Sequence, residues 1–224
     1  MSLIKIPQIN RELLTAFKGL ISLVKNPGNT DSVFDIVEGM RNSDASKLAL
    51  EYIKSKPGVS QIVEERYLTP TPNLDELIKS PPGSLGYEYA SAMKQANFDP
   101  EFYRPIEVTD DLSYVLLRIR QSHDIWHTVT GFGTDVFGEL GLQAFSLAQT
   151  HLPLPIVLIS GGLLKTLIQS PKDLDRLLDR VALGYRMGSK AKPFLAQKWE
   201  ENWEKPVSEL RAELGVETTP VYVP

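Results

Sequence analysis

The segment HDIWHTVTGFGTDVFGE, residues 123–139, most constrains how this chain can fold. His123 and His127 stand four residues apart, so on an α-helix their side chains lie on one face and can reach a single ion. Glu139 follows His123 by sixteen residues, which on one straight helix would separate the two by roughly 24 Å. The Gly-Phe-Gly sequence between them favours a break, with Thr134 as the cap of a second helix. Two helices folded back on each other would bring Glu139 to the histidines.

The phase of the first helix indicates where the histidines point. Leu112, Leu116 and Ile119 recur at steps of four and three residues, and His123 and His127 continue this apolar stripe. A helix buries such a stripe against its neighbours. We therefore expect both imidazole rings to face inward.

His123, Asp124, His127 and Glu139 are the candidate residues for metal binding and for catalysis. Their arrival on a buried face, with a hinge between them, favours a divalent metal site. Because the chain has no cysteine, nitrogen and oxygen atoms must hold any metal. Mixed imidazole and carboxylate ligands suit zinc, iron, manganese and magnesium. The alternative is two core histidines bonded to backbone groups, with Asp124 paired to Arg120 and Glu139 in solvent.

Size and composition are those of an ordinary soluble globular protein. The chain has 224 residues, a net charge of −4, 42% hydrophobic and 23% charged residues, which suits one domain and offers no basic surface for nucleic acid. No run of apolar residues is long enough for a transmembrane helix. The start, MSLIKIPQINREL, resembles neither a secretory signal nor a transit peptide, so we expect a cytoplasmic location.

Helical periodicity recurs along the chain, without sustained strand alternation, internal repeats or a Gly-rich phosphate loop. We predict an all-α fold of about eight to ten helices in one domain, residues 1–224, with a buried apolar groove. The predicted helices cover 10–24, 31–40, 44–54, 73–79, 85–96, 136–151, 156–168, 170–186 and 206–214, together with a central helix that ends at Gly131, and the helical pattern continues weakly over 61–67.

Polar residues at the predicted helix starts mark the caps. The third histidine, His151, follows a helix and precedes Leu-Pro-Leu-Pro, so we interpret it as a helix-end residue and not as a ligand. Near the carboxyl end, Trp199 and Trp203 stand at helical i, i+4 spacing. The predicted N-terminal caps are Asp31, Asp44, Ser170 and, for the central helix, Asp110 or Asp111.

Two segments have more than one interpretation. Residues 156–168 are the most apolar stretch and predict a buried helix, whose Gly161-Gly162 pair permits close approach of another helix or of an apolar ligand. We expect this helix to line the apolar groove. The proline-rich PPGSLGYEY, residues 81–89, is either a turn or part of the wall of the site.

At these residues the chain resembles the coenzyme Q (ubiquinone) biosynthesis protein four family. The resemblance covers nearly the whole chain. It rests on HDIWH followed by eleven residues and Glu139, on PPGSLGYEY, on Ser113-Tyr114-Val115 with Arg118 and Arg120, on AQTHLP, and on WEENWEKPVSELRAELG.

The resemblance implies a fold, a site and a pathway. Its metal ligands would be His123, Asp124, His127 and Glu139, with zinc as the first expectation and magnesium, manganese or iron as the others. The family is all-α, associates peripherally with membranes and works beside other quinone-biosynthesis proteins. It is associated with loss of the ring carboxylate from a polyprenylated hydroxybenzoate, coupled to hydroxylation at that carbon. The implied ligands are a polyprenylated aromatic lipid or a prenyl phosphate, and a homodimer is a further expectation.

Two positions depart from the family's pattern. Tyr87 stands where a basic residue is expected after Leu85-Gly86, and His151 replaces the usual glycine before Leu-Pro. The first departure removes a cation that would have gripped a carboxylate or phosphate.

Two other functions remain as alternatives. The first is a metal-dependent hydrolase. The spacing of the two histidines is similar to that of zinc peptidases with His-Glu-x-x-His, but Asp124 replaces the glutamate that acts as general base there. The HD phosphohydrolases need a further histidine upstream of the His-Asp pair, and this chain has none before His123. In the other alternative, the protein is a non-catalytic scaffold. There the metal fastens two helices and an apolar groove presents a prenylated intermediate to partner enzymes.

Overall fold

The computed structural model describes residues 39–41, 43–101 and 105–218. Within these ranges the chain forms α-helices and short 3-10 turns and no β-strand, which confirms the predicted all-α class. The predicted helix at 10–24, the start of the one at 31–40, and the cap Asp31 lie outside the described residues.

Nine α-helices follow one another in the described part of the chain, and we number them in order. They are α1 (Asp44–Lys54), α2 (Val59–Glu65), α3 (Leu74–Leu77), α4 (Leu85–Ala96), α5 (Asp111–Thr130), α6 (Val136–Thr150), α7 (Pro153–Gln169), α8 (Leu174–Lys190) and α9 (Val207–Leu214). The 3-10 turns are Pro171–Asp173, Phe194–Ala196 and Trp199–Glu201.

Helix α5 runs through the hydrophobic core. Trp126 is fully buried on it, and its ring lies 6.0 Å from that of Phe145 and 5.5 Å from that of Phe194. Trp199 extends this aromatic cluster, with its ring 5.1 Å from Phe194. Edge-to-face contacts of this kind add to the free energy of burial, so the cluster fixes α5 and the candidate ligands that follow Ser122.

The helix caps correct two predictions and confirm one. Asp110 caps α5 in a reciprocal capping box with Ser113, as expected. Ser43, not Asp44, caps α1, because its hydroxyl accepts the Ser46 amide while Asp44 is already helical. Asp135, not Thr134, caps α6 by accepting the Gly138 amide at 2.7 Å. The cap of α6 is therefore one residue later than predicted, while the helix itself begins at Val136, as predicted.

Helices α6 and α8 cross at glycines. A Cβ atom on Gly184 would lie 2.0 Å from the carbonyl oxygen of Gly141, and one on Gly188 would lie 2.5 Å from that of Phe145. Real side chains do not tolerate such distances, so the two backbones touch directly at this crossing. We call these four residues the glycine crossing.

The expected burial of residues 156–168 is wrong. Helix α7 packs one face on its neighbours, while Ile156 is 50% and Ile168 72% exposed. The Gly161-Gly162 pair does permit helix packing, since a Cβ on Gly162 would lie 2.1 Å from the Leu140 side chain. The apolar composition of this helix did not predict its burial, because the hydrophobic effect does not specify which helix faces the neighbouring helices cover.

Among the described residues, no helix is both long and apolar enough to cross a membrane.

Trp199 and Trp203 do not lie on one α-helix, despite their i, i+4 spacing, because two 3-10 turns form within residues 194–201. Buried Arg118 donates to the Gln197 carbonyl at 3.0 Å and binds the Glu200 carboxylate at 2.5 Å. These long-range contacts take up a carbonyl that a continuous helix would use. Ser170 makes no side-chain cap either, since a 3-10 turn precedes α8, which runs to Lys190 rather than Arg186.

Candidate functional site

The break between α5 and α6 is the one that the sequence predicts. Gly131 ends α5 with a positive φ of 77°, and its amide donates to the carbonyl of His127. Gly138 then lets the loop fold over the start of α6, since a Cβ there would lie 1.9 Å from the Gly133 carbonyl oxygen. Glu139 consequently sits in the first turn of α6, where the helix dipole favours a negative charge.

Four side chains converge at this break. His123, Asp124 and His127 place one potential ligand atom each within 4.8 Å of the others. The Nε2 atoms of the two histidines are 3.2 Å apart. Glu139 reaches them from α6, with carboxylate oxygens 3.2 Å from Nε2 of His127 and 3.6 Å from Nε2 of His123. The structure therefore brings together every candidate ligand.

The backbone selects the tautomer of His127. Its Nδ1 lies 2.9 Å from the carbonyl oxygen of Phe132, which can only accept a hydrogen bond. Nδ1 must therefore carry the proton, so in the neutral ring Nε2 offers its lone pair toward His123 and Glu139. A carbonyl that orients an imidazole in this way is the usual support for a metal-binding histidine.

Burial and charge oppose each other in the cluster. Burial raises the pKa of Asp124, and the neighbouring histidines only partly counter this. Burial also acts to raise the pKa of Glu139, but hydrogen bonds from His123 and His127 outweigh it and hold that pKa at about 2. For His127, burial lowers the pKa, while the hydrogen bond and charge of Glu139 raise it to a value above the ordinary one.

The residues present fit a divalent ion. Two ligands that each lie about 2.0–2.1 Å from a tetrahedral zinc ion are roughly 3.3 Å apart, and an octahedral ion needs roughly 3.0 Å. The spacings among His123, His127 and Glu139, 3.2 to 3.6 Å, lie around the first distance and are slightly longer than the second. Two carboxylates and two neutral imidazoles also balance the charge of a divalent cation. Spacing alone does not choose between zinc, magnesium, manganese and iron.

A cavity of about 760 Å³ opens beside the cluster. Its walls come from α4, the end of α5, the loop to α6, and α9. The lining residues are Gly83, Glu88, Tyr89, Ala92, Met93, Gln95, Ala96, Phe98, Asp124, His127, Thr128, Gly131, Phe132, Gly133, Thr134, Val207, Ser208 and Arg211. None of the residues from 156 to 168 belongs to this lining. A groove lined by that helix stays a prediction.

Comparison with known proteins places this chain in a family. The family model described as coenzyme Q (ubiquinone) biosynthesis protein Coq4 matches residues 2–220. The chain belongs to the Coq4 family. The mitochondrial ubiquinone biosynthesis protein COQ4 homolog of Aedes aegypti is 30% identical over 97% of this chain and 80% of its own length. The mitochondrial homolog of Danio rerio is 31% identical over 95% of this chain and 79% of its own length.

A solved structure supports the same assignment. The crystal structure of a protein from Nostoc punctiforme, assigned to ubiquinone biosynthesis, superimposes with a TM-score of 0.84 at 40% sequence identity. The match covers 93% of this chain and 98% of the Nostoc chain. The two proteins therefore share one fold over nearly the whole chain.

Two of the Coq4-like sequence motifs form one wall of the cavity. The amide of Gly86 donates to the Trp203 carbonyl at 2.8 Å, and the amide of Val207 donates to the Gly83 carbonyl at 2.9 Å. A Cβ on Gly86 would lie 3.1 Å from that Trp203 oxygen, so glycine allows the close approach. The PPGSLGYEY segment is thus both a turn and part of the site wall.

Sequence reasoning missed the contribution of α9 to the wall of this cavity. Val207 and Arg211 stand at i, i+4 spacing and both line the cavity, far in sequence from the histidines. A weak signal was present, because Arg211 falls among the regularly spaced apolar positions of the last helix.

His151, predicted as a helix-end residue, ends α6 with a φ of 55° and stacks on Tyr52 with ring centroids 3.5 Å apart.

Proposed function

We propose that this Coq4-family chain removes the ring carboxylate of a polyprenylated hydroxybenzoate. In this proposal His123, Asp124, His127 and Glu139 hold a divalent metal, with zinc first and magnesium, manganese or iron as alternatives. The observation that carries the proposal is the convergence of these four side chains beside a cavity of about 760 Å³.

The protein's residues supply orientation and electrostatics. The Phe132 carbonyl orients His127, and the short loop fixes Glu139 against both imidazoles. A bound divalent ion would orient the substrate carboxylate and stabilise negative charge that develops on the ring. The burial of His127 and the partial burial of Asp124 exclude part of the competing water and strengthen electrostatic interactions at this point.

The proposed reaction breaks the bond between the ring carbon and the carboxylate carbon. Carbon dioxide leaves, and the ring carbon takes a proton. In the oxidative form it takes a hydroxyl group instead, which requires molecular oxygen or another oxidant. Zinc cannot accept the electrons that this oxidation removes from the substrate, because its redox state does not change.

The cavity also has room and surface for a prenyl tail. Its apolar part runs from beside the candidate ligands along α4 to a partly exposed phenylalanine at the end of that helix. The side chains of this part are Tyr89, Ala92, Met93, Ala96, Phe98, Phe132 and Val207. A pocket with an apolar body and a few convergent polar groups suits such a lipid. A prenyl phosphate would use the same apolar wall.

Genetic rescue tests the proposed function. A strain that lacks its own ring-decarboxylation step should recover quinone synthesis when it receives this chain, and should fail to recover with His123→Ala or Asp124→Ala. His151→Ala is the matched control, since it removes the third histidine outside the cavity. Failure of the unchanged chain to rescue would contradict the proposal.

The same experiment separates the enzyme from the scaffold. A non-catalytic scaffold would support synthesis in any folded form as long as the other quinone-biosynthesis proteins are present. Full rescue by a folded Asp124→Ala protein would therefore favour a scaffold. Peripheral membrane contact and a homodimer, both implied by the resemblance, stay predictions.

A further inference from the structure

We infer that Arg211 binds an anionic oxygen of the substrate within the cavity that His127 and Asp124 also line. The inference deepens the proposed function and rests on it for the substrate class, an aromatic acid with a hydroxyl group. In this inference Arg211, on α9, binds a polar group of the substrate ring at a point separate from the candidate metal ligands.

The backbone of α5 holds the guanidinium in place. Arg211 donates from Nε to the Val129 carbonyl at 2.8 Å and from Nη2 to the Thr128 carbonyl at 3.1 Å. Both acceptors lie within two residues of His127, so the position of the guanidinium is tied to the helical turn that presents the imidazole. A guanidinium has five N–H donors, and these two bonds leave three for a ligand among the described residues.

The positive charge of Arg211 has no carboxylate within ion-pair distance in the described part of the chain. The nearest acidic influence is Glu88, whose Oε1 accepts the Gly83 amide at 3.2 Å. Burial lowers the pKa of Arg211, in keeping with a cation that lacks a close counter-ion. A partly buried cation that faces a cavity is stabilised when an anion enters.

The chemistry of the guanidinium defines the ligand. Its planar N–H donors match a carboxylate in a two-bond arrangement and also bind a phenolate oxygen. An aromatic hydroxy acid carries both groups on one ring. With one of them at the candidate metal ligands, the other can reach Arg211 across the same cavity.

Binding measurements on four ring compounds test this assignment. The probes are a geranylated hydroxybenzoate, a geranylated benzoate without the hydroxyl, a geranylated phenol without the carboxylate, and geranylbenzene without either group. The proteins are the unchanged chain, Arg211→Gln, Arg211→Lys and Glu213→Gln. Glu213 is the matched control, since it is a charged residue of the same helix that lies outside the cavity lining.

The expected result is selective. Arg211→Gln should weaken binding of the hydroxybenzoate about tenfold or more, the size expected for a lost charge-assisted hydrogen bond. Geranylbenzene should bind equally to all four proteins, Arg211→Lys should recover part of the loss, and Glu213→Gln should show no loss. The analogue for which the Arg211→Gln effect disappears lacks the oxygen that Arg211 binds.

Two outcomes would overturn the inference. An equal loss for all four probes would mean that Arg211 only supports α5, and no loss for any probe would mean that it binds no anion. Repeating the series after treatment with a chelator keeps the two proposals apart. A selective Arg211→Gln effect in protein that never binds metal would retain this inference while the proposed metal chemistry fails.

Discussion

The Nδ1 atom of His127 donates to the carbonyl oxygen of Phe132, five residues later, over 2.9 Å. This bond crosses the break between α5 and α6, so the same contact closes the loop and orients the imidazole. The turn that brings Glu139 close to His127 consequently also orients the His127 ring. The site does not need a distant partner to select its tautomer.

Metal content gives the most direct prediction. The protein should bind about one divalent ion per chain. His127→Ala and Glu139→Ala should each lower the affinity for the metal at least tenfold. Elemental analysis after dialysis measures the content, and circular dichroism checks that the helices remain. His151→Ala should keep its metal. Undiminished metal in both site variants would defeat the assignment.

The affinity for metal should fall with decreasing pH. Protonated imidazole cannot bind a cation, so protons compete with the metal as the pH falls through the pKa of His127. Glu139 raises this pKa against the effect of burial, so competition begins at a higher pH than for a free imidazole.

Glu139→Gln tests the origin of that shift. It removes the negative charge, so the midpoint of the competition should move to lower pH, apart from any loss of overall affinity. Titration against a competing chelator at a series of pH values provides the measurement. Identical midpoints in the two proteins would show that Glu139 does not set the pKa of His127.

Gly141→Ala should disturb the site without touching a candidate ligand. The added Cβ would lie 2.6 Å from the ring of Phe132, whose carbonyl orients His127. We expect a loss of about 1–3 kcal/mol in the free energy of unfolding, as for other overpacked cores, together with weaker metal binding. Urea unfolding and metal titration measure the two effects. Gly133→Ala is the control, because a Cβ there meets nothing within 4 Å.

Asp111 should contribute a pH-dependent part of the stability. Hydrogen bonds from Lys54 at 2.5 Å and Arg66 at 2.6 Å hold its pKa below the usual value. A lowered pKa in the folded state stabilises the protein above the unfolded pKa of about 3.9, and that stabilisation is lost as the pH falls through the folded value.

Asp111→Asn should therefore lower the free energy of unfolding by on the order of 1 kcal/mol near neutral pH, since the pair is partly exposed. The difference should begin to shrink as the pH falls below the unfolded pKa of about 3.9, and should vanish only below the lowered pKa of the folded carboxyl. Urea unfolding at a series of pH values gives the measurement. Asp44→Asn, in the exposed pair with Lys47, should show much less change. A pH-independent difference would argue against the ion pairs as its cause.

Local features were the ones that the sequence could predict. The i, i+4 spacing of His123 and His127 and the positive φ at Gly131 depend on residues within a few positions, and all appear as expected. Asp135 caps α6 in place of Thr134. Both residue types can cap a helix, and the fold of the loop over Gly138 selects Asp135.

Features that depend on distant contacts could not be predicted in the same way. The apolar composition of α7 gave no indication that one face would stay exposed at Ile168. Arg118 diverted residues 194–201 from a helix through contacts about eighty positions away in sequence. Arg211 entered the site because α9 packs on the end of α5, a relationship that periodicity does not contain.

The glycine crossing has a consequence for how the molecule opens. Glu139 sits on α6 close to the point where α6 meets α8 backbone to backbone. A slip of α6 by a single residue would move it about 1.5 Å along the axis and turn it by about 100°, which would carry the carboxylate away from both imidazoles. The amide protons of α6 at the crossing should thus be among the slowest to exchange with solvent, and Glu139 should leave the histidines in the same cooperative event that exposes them.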